Sequence, residues 1–429
     1  MRREFACPGP VGRVLLSPDG RLVAGSTFDG TLFLVDRDGR LLWSFPHVDA
    51  EELTFCEASP PLLCTGTWTG ALRVYVPDGV AWERPVPGIV AAIAANECAG
   101  RIVAGSWDGT VAAFSLDGTP LFRHRLPDAV VRVAVPPAGG VAVAGLADGT
   151  VRGLDATGEL WHASPGGRPL AIVATAHETV VATTAGLFVL DADGRVARER
   201  PARDRVVMAA LAPDASWAAL VEDSPLLRLV RGEDGSAWET ALPGAPSSLA
   251  LAGDAGSPVC LLTLAPERLL ALNRWQVPVE ERLEGAASAP SFGPWGTEAV
   301  TSGPGGRSVL LHDLPAIRRW LPPPRLAVRI AAGALVAGRA GTLAVSVSNE
   351  GGRAALSLAI RVESEFLRAP RAEALGDLGP GALLRTRLAV EPERAGELIL
   401  SITTTFRDEL GEPVEERRQE VVAVRPQEP

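Results

Sequence analysis

The sequence predicts an all-β protein: an eight-bladed, or alternatively seven-bladed, β-propeller followed by an immunoglobulin-like β-sandwich. The main observation is a sequence motif, Val-Ala-Gly followed by Asp-Gly-Thr, that recurs at a period of about 40 residues. Such a period is typical of propeller blades. Its clearest copies begin at Val23, Val103 and Val143. The glycine of this turn, or its proline stand-in, recurs eight times: Gly30, Gly70, Gly109, Gly149, Gly186, Pro225, Pro266 and Gly306.

The first repeat shows how one blade is built. Apolar-rich stretches over 11–17, 21–26, 31–36 and 40–45 are separated by turn residues. Asp29-Gly30 between alternating strands is a strong hairpin signal, because glycine accepts the positive φ that such turns require. Four antiparallel strands joined in this way form one propeller blade.

A second glycine turn recurs in the first six repeats, and in five of them a large aromatic residue follows three or four positions later. Aromatic side chains bury about 150–250 Å² each when packed. We therefore expect these rings to lie on outer strands and to pack between neighbouring blades. They are Trp43, Trp82, Phe122, Trp161 and Trp238.

The last repeats depart from the pattern. The eighth supplies only three strand-like segments, over 286–292, 298–302 and 308–313. We expect residues 2–7 to provide its fourth strand, which would close the ring and leave no exposed sheet edge. If 244–313 folds irregularly, seven blades remain the alternative.

Three consecutive prolines, 322–324, predict a stiff spacer between two domains. The sequence accordingly divides into a propeller over 1–321, a linker over 322–325 and a sandwich over 326–429. Beyond the prolines the 40-residue period stops, and six or seven short strand-like segments follow, as expected for an immunoglobulin-like sandwich. The alternation over 343–349 predicts one buried face.

Composition limits the function. The net charge is −10 and there is no basic run, which disfavours nucleic acid as a partner. All 41 basic residues are arginine, so Schiff-base chemistry and a phosphate-binding lysine loop are excluded.

The sequence predicts a cytoplasmic protein. Its start lacks the apolar region of a secretory signal, and no apolar run is long enough to span a membrane. The five cysteines are odd in number and irregularly spaced, which favours reduced thiols over a disulfide framework.

Motifs for catalysis or cofactor binding are missing from the sequence. The five histidines do not occur at metal-ligand spacing, and there is no nucleophile elbow around a serine. We interpret Cys56 and Cys64, eight residues apart, as buried small hydrophobic residues. The prediction is a protein with no catalytic residues, no metal and no cofactor.

The segments 34–43 and 153–161, which end in Gly-Arg-Leu-Leu-Trp and Gly-Glu-Leu-Trp, resemble the repeat of PQQ-like propellers. The segments 341–343, 348–351 and 378–381 look like parts of CARDB-type immunoglobulin-like modules of prokaryotes. The PQQ-like family includes quinoprotein dehydrogenases and non-catalytic scaffolds. The vicinal cysteine pair of those enzymes has no counterpart here, so the resemblance implies the fold alone.

One group of residues stands out as a candidate site. In three consecutive repeats a large aromatic directly precedes the Asp-Gly or Thr-Gly turn, and we call Phe28, Trp68 and Trp107 the aromatic arc. Exposed aromatics are enriched in binding hot spots. The alternative is that each ring folds onto the neighbouring interblade loop. The predicted partner-binding residues are Phe28, Asp29, Trp68, Trp107, Asp108 and Asp148.

The leading interpretation is a non-catalytic protein–protein interaction scaffold in a multiprotein bacterial or archaeal assembly. Its predicted partner is a protein with arginine or lysine near an apolar anchor, and the oligomeric state is left open. One alternative is a divergent quinoprotein-like oxidoreductase or a hydrolase at the channel mouth. That alternative needs acidic or histidine side chains on the innermost strands, whose segments 11–16, 88–93 and 168–173 are largely apolar. A third possibility is an envelope-exposed binding protein.

Overall fold

The computed structural model describes residues 3–56, 58, 60–232, 235–252, 259–264, 268–273, 279–282, 291–292, 298–303, 307–313, 323–408 and 411–427. The described residues form strands and turns with no helix, which confirms the all-β prediction. Accordingly, no helix suited to crossing a membrane occurs in this part of the chain. The chain divides into two compact units, Met1–Leu314 and Pro315–Pro429. The predicted limits at 321, 322–325 and 326 stay predictions, because residues 314–322 lie outside the described ranges.

Within its described residues, the first unit contains eight four-stranded antiparallel sheets, which we call blades one to eight. The chain enters through β1 (Arg3–Ala6) and then forms blades one to four in order. Their strands are β2 (Val11–Leu16), β3 (Leu22–Thr27), β4 (Leu32–Asp36) and β5 (Leu41–Phe45); β6 (Ala50–Cys56), β7 (Leu62–Thr67), β8 (Ala71–Val76) and β9 (Gly79–Pro85); β10 (Val90–Asn96), β11 (Arg101–Ser106), β12 (Thr110–Ser115) and β13 (Pro120–Arg125); β14 (Val130–Ala134), β15 (Ala142–Leu146), β16 (Val151–Asp155) and β17 (Gly158–Ala163).

Blades five to seven repeat this order. Their strands are β18 (Pro169–Ala174), β19 (Thr179–Thr183), β20 (Gly186–Leu190) and β21 (Val196–Pro201); β22 (Val206–Leu211), β23 (Trp217–Glu222), β24 (Leu226–Arg231) and β25 (Ala237–Ala241); β26 (Pro246–Ala252), β27 (Val259–Leu264), β28 (Arg268–Asn273) and β29 (Val279–Arg282). Blade eight consists of β30 (Ser291–Phe292), β31 (Glu298–Ser302), β32 (Ser308–Asp313) and β1.

The two ends of the first unit meet in blade eight. β1 pairs antiparallel with β32, and Arg3 lies opposite Leu311 while Ala6 lies opposite Ser308. The first strand of each blade contacts the first strand of the next, from β2 through β30 and back to β2. These innermost strands therefore form a closed ring. The blade number of the complete ring stays a prediction, because 283–290 and 293–297 lie outside the described residues. The first of these ranges includes part of the predicted segment 286–292. The predicted positions Arg2, Pro266 and Gly306 also lie outside the described residues.

Outer-strand aromatics join neighbouring blades, as predicted. The indole N–H of Trp82 on β9 donates a hydrogen bond to the carbonyl of Leu116 in blade three, at 2.9 Å. Trp43 on β5 donates to Val76 of blade two in the same way, at 3.2 Å. The Trp82 ring lies against Gly118, where a Cβ atom would come within 2.7 Å of the ring. The turn glycine is therefore required by the ring that the preceding blade packs against it.

The second unit is a two-sheet sandwich. Its described strands form a three-stranded sheet in the order β33-β35-β38 and a five-stranded sheet in the order β34-β40-β39-β36-β37. They are β33 (Leu326–Ala332), β34 (Leu335–Val336), β35 (Gly341–Asn349), β36 (Ala355–Glu363), β37 (Arg371–Leu378), β38 (Leu383–Val390), β39 (Gly396–Asp408) and β40 (Pro413–Arg425). Both sheets contribute to one core, in which Val345 and Val347 pack with Ile360 and Leu400. The predicted alternation of β35 is confirmed, whereas the immunoglobulin-like class stays a prediction.

We expect Trp82→Ala to lower the free energy of unfolding by about 3–5 kcal/mol, because it removes a buried ring that joins two blades. The matched control is Trp68→Ala, whose side chain is half exposed and whose loss is expected to cost about 1 kcal/mol, the value of one aromatic pair. Urea denaturation of the full chain followed by circular dichroism provides the measurement. Equal losses for the two variants would contradict the packing role of Trp82.

Candidate functional site

The aromatic arc lies on hairpins that are fixed by backbone hydrogen bonds on both sides. The amides of Phe28, Trp68 and Trp107 donate to carbonyls just before the first strand of their own blades. The partners are Pro10 at 2.8 Å, Asp49 at 3.2 Å and Ile89 at 3.0 Å. Because these bonds use only the backbone, the side chains are left to project from the turn.

The interblade loops hold the same turns from the other side. The amide of Val48, in the loop between blades one and two, donates to the carbonyl of Gly30 at 2.9 Å. The same bond joins Val86 to Gly70 at 3.0 Å in the next blade, and it recurs at Leu126, Ala202 and Leu242, which bind Gly109, Ala185 and Pro225. The turns between second and third strands and the interblade loops therefore share one face of the propeller.

The three rings of the arc are exposed. Phe28 is 82% exposed, Trp68 51% and Trp107 49%. The rings of Trp68 and Trp107 lie edge to face, with centroids 6.1 Å apart and planes at 67°, a favourable arrangement for aromatic pairs. The Phe28 ring lies beside Gly12, where a Cβ atom would be 3.6 Å away. The structure thus joins Trp68 and Trp107, and no ring contact within the described residues links Phe28 to them.

The three predicted aspartates hold their own hairpins. The Asp108 carboxylate accepts the amide of Thr110 through Oδ1 at 2.9 Å, and Asp148 accepts the amide of Thr150 at 2.8 Å. Asp29 accepts the amide of Thr31 through Oδ1 at 3.3 Å and also the hydroxyl of Thr27. Such side-chain bonds to the backbone two residues ahead are a common way to stabilise turns. Each carboxylate therefore has a local structural role beside any role in binding.

Two of these carboxylates have lowered pKa values. The Thr27 and Thr31 hydrogen bonds lower the pKa of Asp29. For Asp108, desolvation raises the pKa, but the hydrogen bonds from Thr110 and Ser106 outweigh it and the net shift is downward. Both groups are charged at neutral pH, so the face beside the arc carries fixed negative charge.

The loop between blades one and two has an unusual backbone, which the sequence interpretation missed. His47 has a φ of 56° and Asp49 a φ of 49°, a left-handed conformation that is uncommon outside glycine. Between them Val48 is buried, and a Cβ atom at Gly30 would come within 2.9 Å of Asp49 Oδ1. Strained backbone of this kind often occurs at binding and catalytic sites. Histidine and aspartate adopt this conformation more often than most residues, but this is a weak signal in sequence.

The backbone hydrogen bond that holds each residue of the arc also occurs in blades that have no aromatic ring at this position. Ala147 in blade four donates its amide to Ala129 at 2.9 Å. Asp223 in blade six donates to Arg205 at 2.9 Å. Since the backbone geometry repeats, the arc is defined by side chains alone.

Charged side chains occur on the innermost strands, where the sequence interpretation expected a largely apolar surface. Arg13 on β2 forms an ion pair with Glu52 on β6, with Nη1 and Oε2 2.7 Å apart. Arg132 on β14 donates through Nε to the carbonyl of Leu170 at 2.6 Å. Desolvation lowers the pKa of Arg132, while the charge of Glu52 raises it and those of Arg168 and Arg13 lower it. Glu52 and Arg132 lie outside the segments 11–16, 88–93 and 168–173 that were predicted to be largely apolar, and Arg13 is the charged residue within the first of them.

Cys56 and Cys64 are both buried, as interpreted from the sequence. Desolvation, followed by the nearby Cys56 thiol, raises the pKa of the Cys64 thiol. Across the described ranges, no cluster of three or more histidine, cysteine, aspartate or glutamate residues has the arrangement of a metal site.

Comparison with known proteins identifies the fold but no family. No protein-family model matches the chain, and no curated protein matches its sequence. Among solved structures, BamB from Moraxella catarrhalis is 12% identical with a TM-score of 0.54, over 72% of this chain and 98% of its own. The β-propeller domain of Myceliophteria thermophila Cps50 (Swd1) is 14% identical with a TM-score of 0.50, over 62% and 97%.

A chain of the Mitotic Checkpoint Complex is 11% identical with a TM-score of 0.51, over 72% of this chain and 93% of its own. Together with the four-stranded antiparallel sheets, these likenesses confirm the β-propeller fold. At such low identity they show the fold alone. The PQQ-like and CARDB-type resemblances stay predictions.

We expect the free energy of unfolding to fall as the pH decreases from about 5 to about 2, because carboxylates with lowered native pKa values contribute stability above the unfolded value of about 4. That contribution is lost as the pH passes through the lower native pKa. Asp29→Asn combined with Asp108→Asn should flatten this decrease, since the amide oxygen still accepts the turn bond but does not titrate. Urea denaturation across this pH range measures both curves. Parallel curves would show that these two carboxylates are not perturbed by folding.

Proposed function

We propose that the protein is a non-catalytic, cytoplasmic protein–protein interaction scaffold in a multiprotein bacterial or archaeal assembly. Its propeller face is the primary binding surface and the immunoglobulin-like domain a second one. The observation that carries the proposal is the aromatic arc, Phe28, Trp68 and Trp107, exposed beside the charged carboxylates of Asp29 and Asp108. A chain of a protein complex is among the structures with a similar fold, which supports the general role of an interaction scaffold.

The arc has the composition of a binding hot spot. Tryptophan is enriched at hot spots, and large aromatic side chains bury about 150–250 Å² each. A standard interface buries about 800 Å² per partner, so the arc would form its centre and the surrounding loops its rim. The edge-to-face contact between Trp68 and Trp107 fixes two of the anchors relative to each other.

The adjacent charge specifies the partner. Asp29 and Asp108 flank the rings, and aromatic faces attract cations. A partner with an arginine or lysine next to an apolar side chain would use both features together. An acidic partner would be repelled by the same carboxylates.

The backbone hydrogen bonds that hold the arc favour binding, because few residues have to become ordered when a partner binds. The arc residues are held through their own amides and through the carbonyls of the turn glycines. A surface that is already rigid loses less conformational entropy when a partner binds. The left-handed residues His47 and Asp49 lie in the interblade loop bonded to Gly30 and Trp68, which places strained backbone directly beside the site.

The alternative enzymatic function has one observation in its favour, the charged group of Arg13, Glu52 and Arg132 on the innermost strands. Arginine is protonated at all physiological pH values and does not act as a general base. Glu52 is held in an ion pair with Arg13. This group is better suited to binding an anion than to acid–base catalysis, so we favour the scaffold.

The test is affinity purification of the full chain from the native organism, followed by mass spectrometry and affinity measurement with the recovered partner. Replacing Phe28, Trp68 and Trp107 with alanine should weaken binding by at least about 30-fold, the effect of losing one hot-spot residue. The matched control replaces three exposed side chains on outer strands with alanine: Leu121, Leu160 and Val196. If the arc variant retains every native partner at wild-type affinity, the proposal is wrong.

A further inference from the structure

The outer face of the three-stranded sheet in the second unit carries three exposed arginines. Arg329 lies opposite Ser346, and Ser346 lies opposite Arg385, so the three form one row across β33, β35 and β38. Arg387 lies two residues beyond Arg385, on the same face of β38. The intervening positions of these strands face the core of the sandwich, so all three guanidinium groups point away from it.

The arginines line both sides of a shallow groove. On this face the central strand β35 presents only small side chains, among them Ala344 and Ser346. The flanking strands are separated by two strand spacings, about 10 Å. A concavity at this place is lined by Arg329, Ala331, Ala344, Ser346, Arg385 and Arg387. We call this set the arginine groove.

The groove is a positive patch on an acidic protein, and the Glu373 carboxylate of the neighbouring β37 accepts the hydroxyl of Thr386 between Arg385 and Arg387 at 2.8 Å. β33, β35 and β38 contain no aspartate or glutamate, although the whole chain has a net charge of −10. Some arginines of the same unit are paired: Arg361 with Glu363, Arg368 with Glu391 and Arg417 with Glu415. Among the described residues, no ion pair involves an arginine of the groove. Three unpaired charges of one sign therefore face solvent together.

The spacing of these charges matches an extended peptide. Arg385 and Arg387 are two residues apart on a strand, a separation of about 6.7 Å. Alternate side chains of an extended partner segment have the same separation. Arginine binds carboxylates through two parallel hydrogen bonds, and the small floor of the groove allows a backbone to approach closely.

We propose that the arginine groove binds an extended acidic segment of a partner protein, with carboxylates at alternate positions. Two of these carboxylates pair with Arg385 and Arg387, and Arg329 holds the segment from the opposite side. This site goes beyond the proposed function of the aromatic arc, because it lies on the other unit and selects the opposite charge. It does not depend on that function.

The test uses fluorescence anisotropy with the full-length chain and a labelled eight-residue peptide of alternating glutamate and threonine. The variant R329A/R385A/R387A should bind this peptide at least about 100-fold more weakly, since each lost charge-assisted pair reduces affinity by about ten-fold or more. The matched control R361A/R368A/R417A removes the same charge from paired arginines and should bind as the wild type does. Binding should also weaken as salt increases.

Four further probes separate the proposed occupant from others. A peptide of alternating glutamine and threonine should not bind, and one with four glutamates followed by four threonines should bind less tightly. Tighter binding of single-stranded DNA or of anionic-lipid vesicles than of the alternating peptide would overturn the proposal. So would equal losses in the two arginine variants, or self-association through the groove without peptide binding, because that would make a second copy of the chain the occupant.

Discussion

The propeller depends on one repeated hydrogen bond, from an amide of the interblade loop to the carbonyl that ends the turn between the second and third strands. Val48 and Gly30 form it in blade one, and Val86 and Gly70 form it in blade two. The turn residue has a φ of 83° at both glycines, a conformation that a side chain would strain. In blades one and three this carbonyl belongs to the Asp-Gly-Thr motif, at Gly30 and Gly109, so the same turn holds both its hairpin and the chain that leads to the next blade.

The sequence predicted well those parts of the fold in which a residue type can adopt only one conformation or make only one kind of contact. Asp-Gly turns require positive φ, and the outer-strand tryptophans find the next blade at positions such as Trp82 beside Gly118. By contrast, the strand-like segments predicted after the prolines left out β37, whose sequence Arg-Ala-Glu-Ala-Leu-Gly-Asp-Leu has low strand propensity. Those segments were 326–330, 342–348, 354–362, 382–390, 397–406 and 414–424. β37 lies at the edge of its sheet, where pairing with β36 contains two register shifts. Tertiary pairing, which no local pattern records, makes it a strand.

The innermost strands show a different limit. In blades one to seven the first strand has a register shift after its first paired residue, as between Val11 and Arg13 and between Val130 and Arg132. A bulge adds one residue and moves the following side chains to the opposite face. A pattern interpreted along a straight strand therefore assigns the wrong face from that point on.

The arc illustrates how the hydrogen-bonded turns between second and third strands can carry a binding site. At Phe28, Trp68, Trp107 and Ala147 the backbone makes the same hydrogen bond, so the turn is stable with a phenyl ring, an indole or a methyl group at that position. The aspartate one position later in blades one, three and four is constrained, because its Oδ1 accepts the hairpin bonds. Selection can therefore change the first residue of each turn without loss of the fold, whereas it has little freedom at the second and third. The proposed contact outside the chain would account for aromatic identity over three consecutive blades at a position where the backbone accepts other residues.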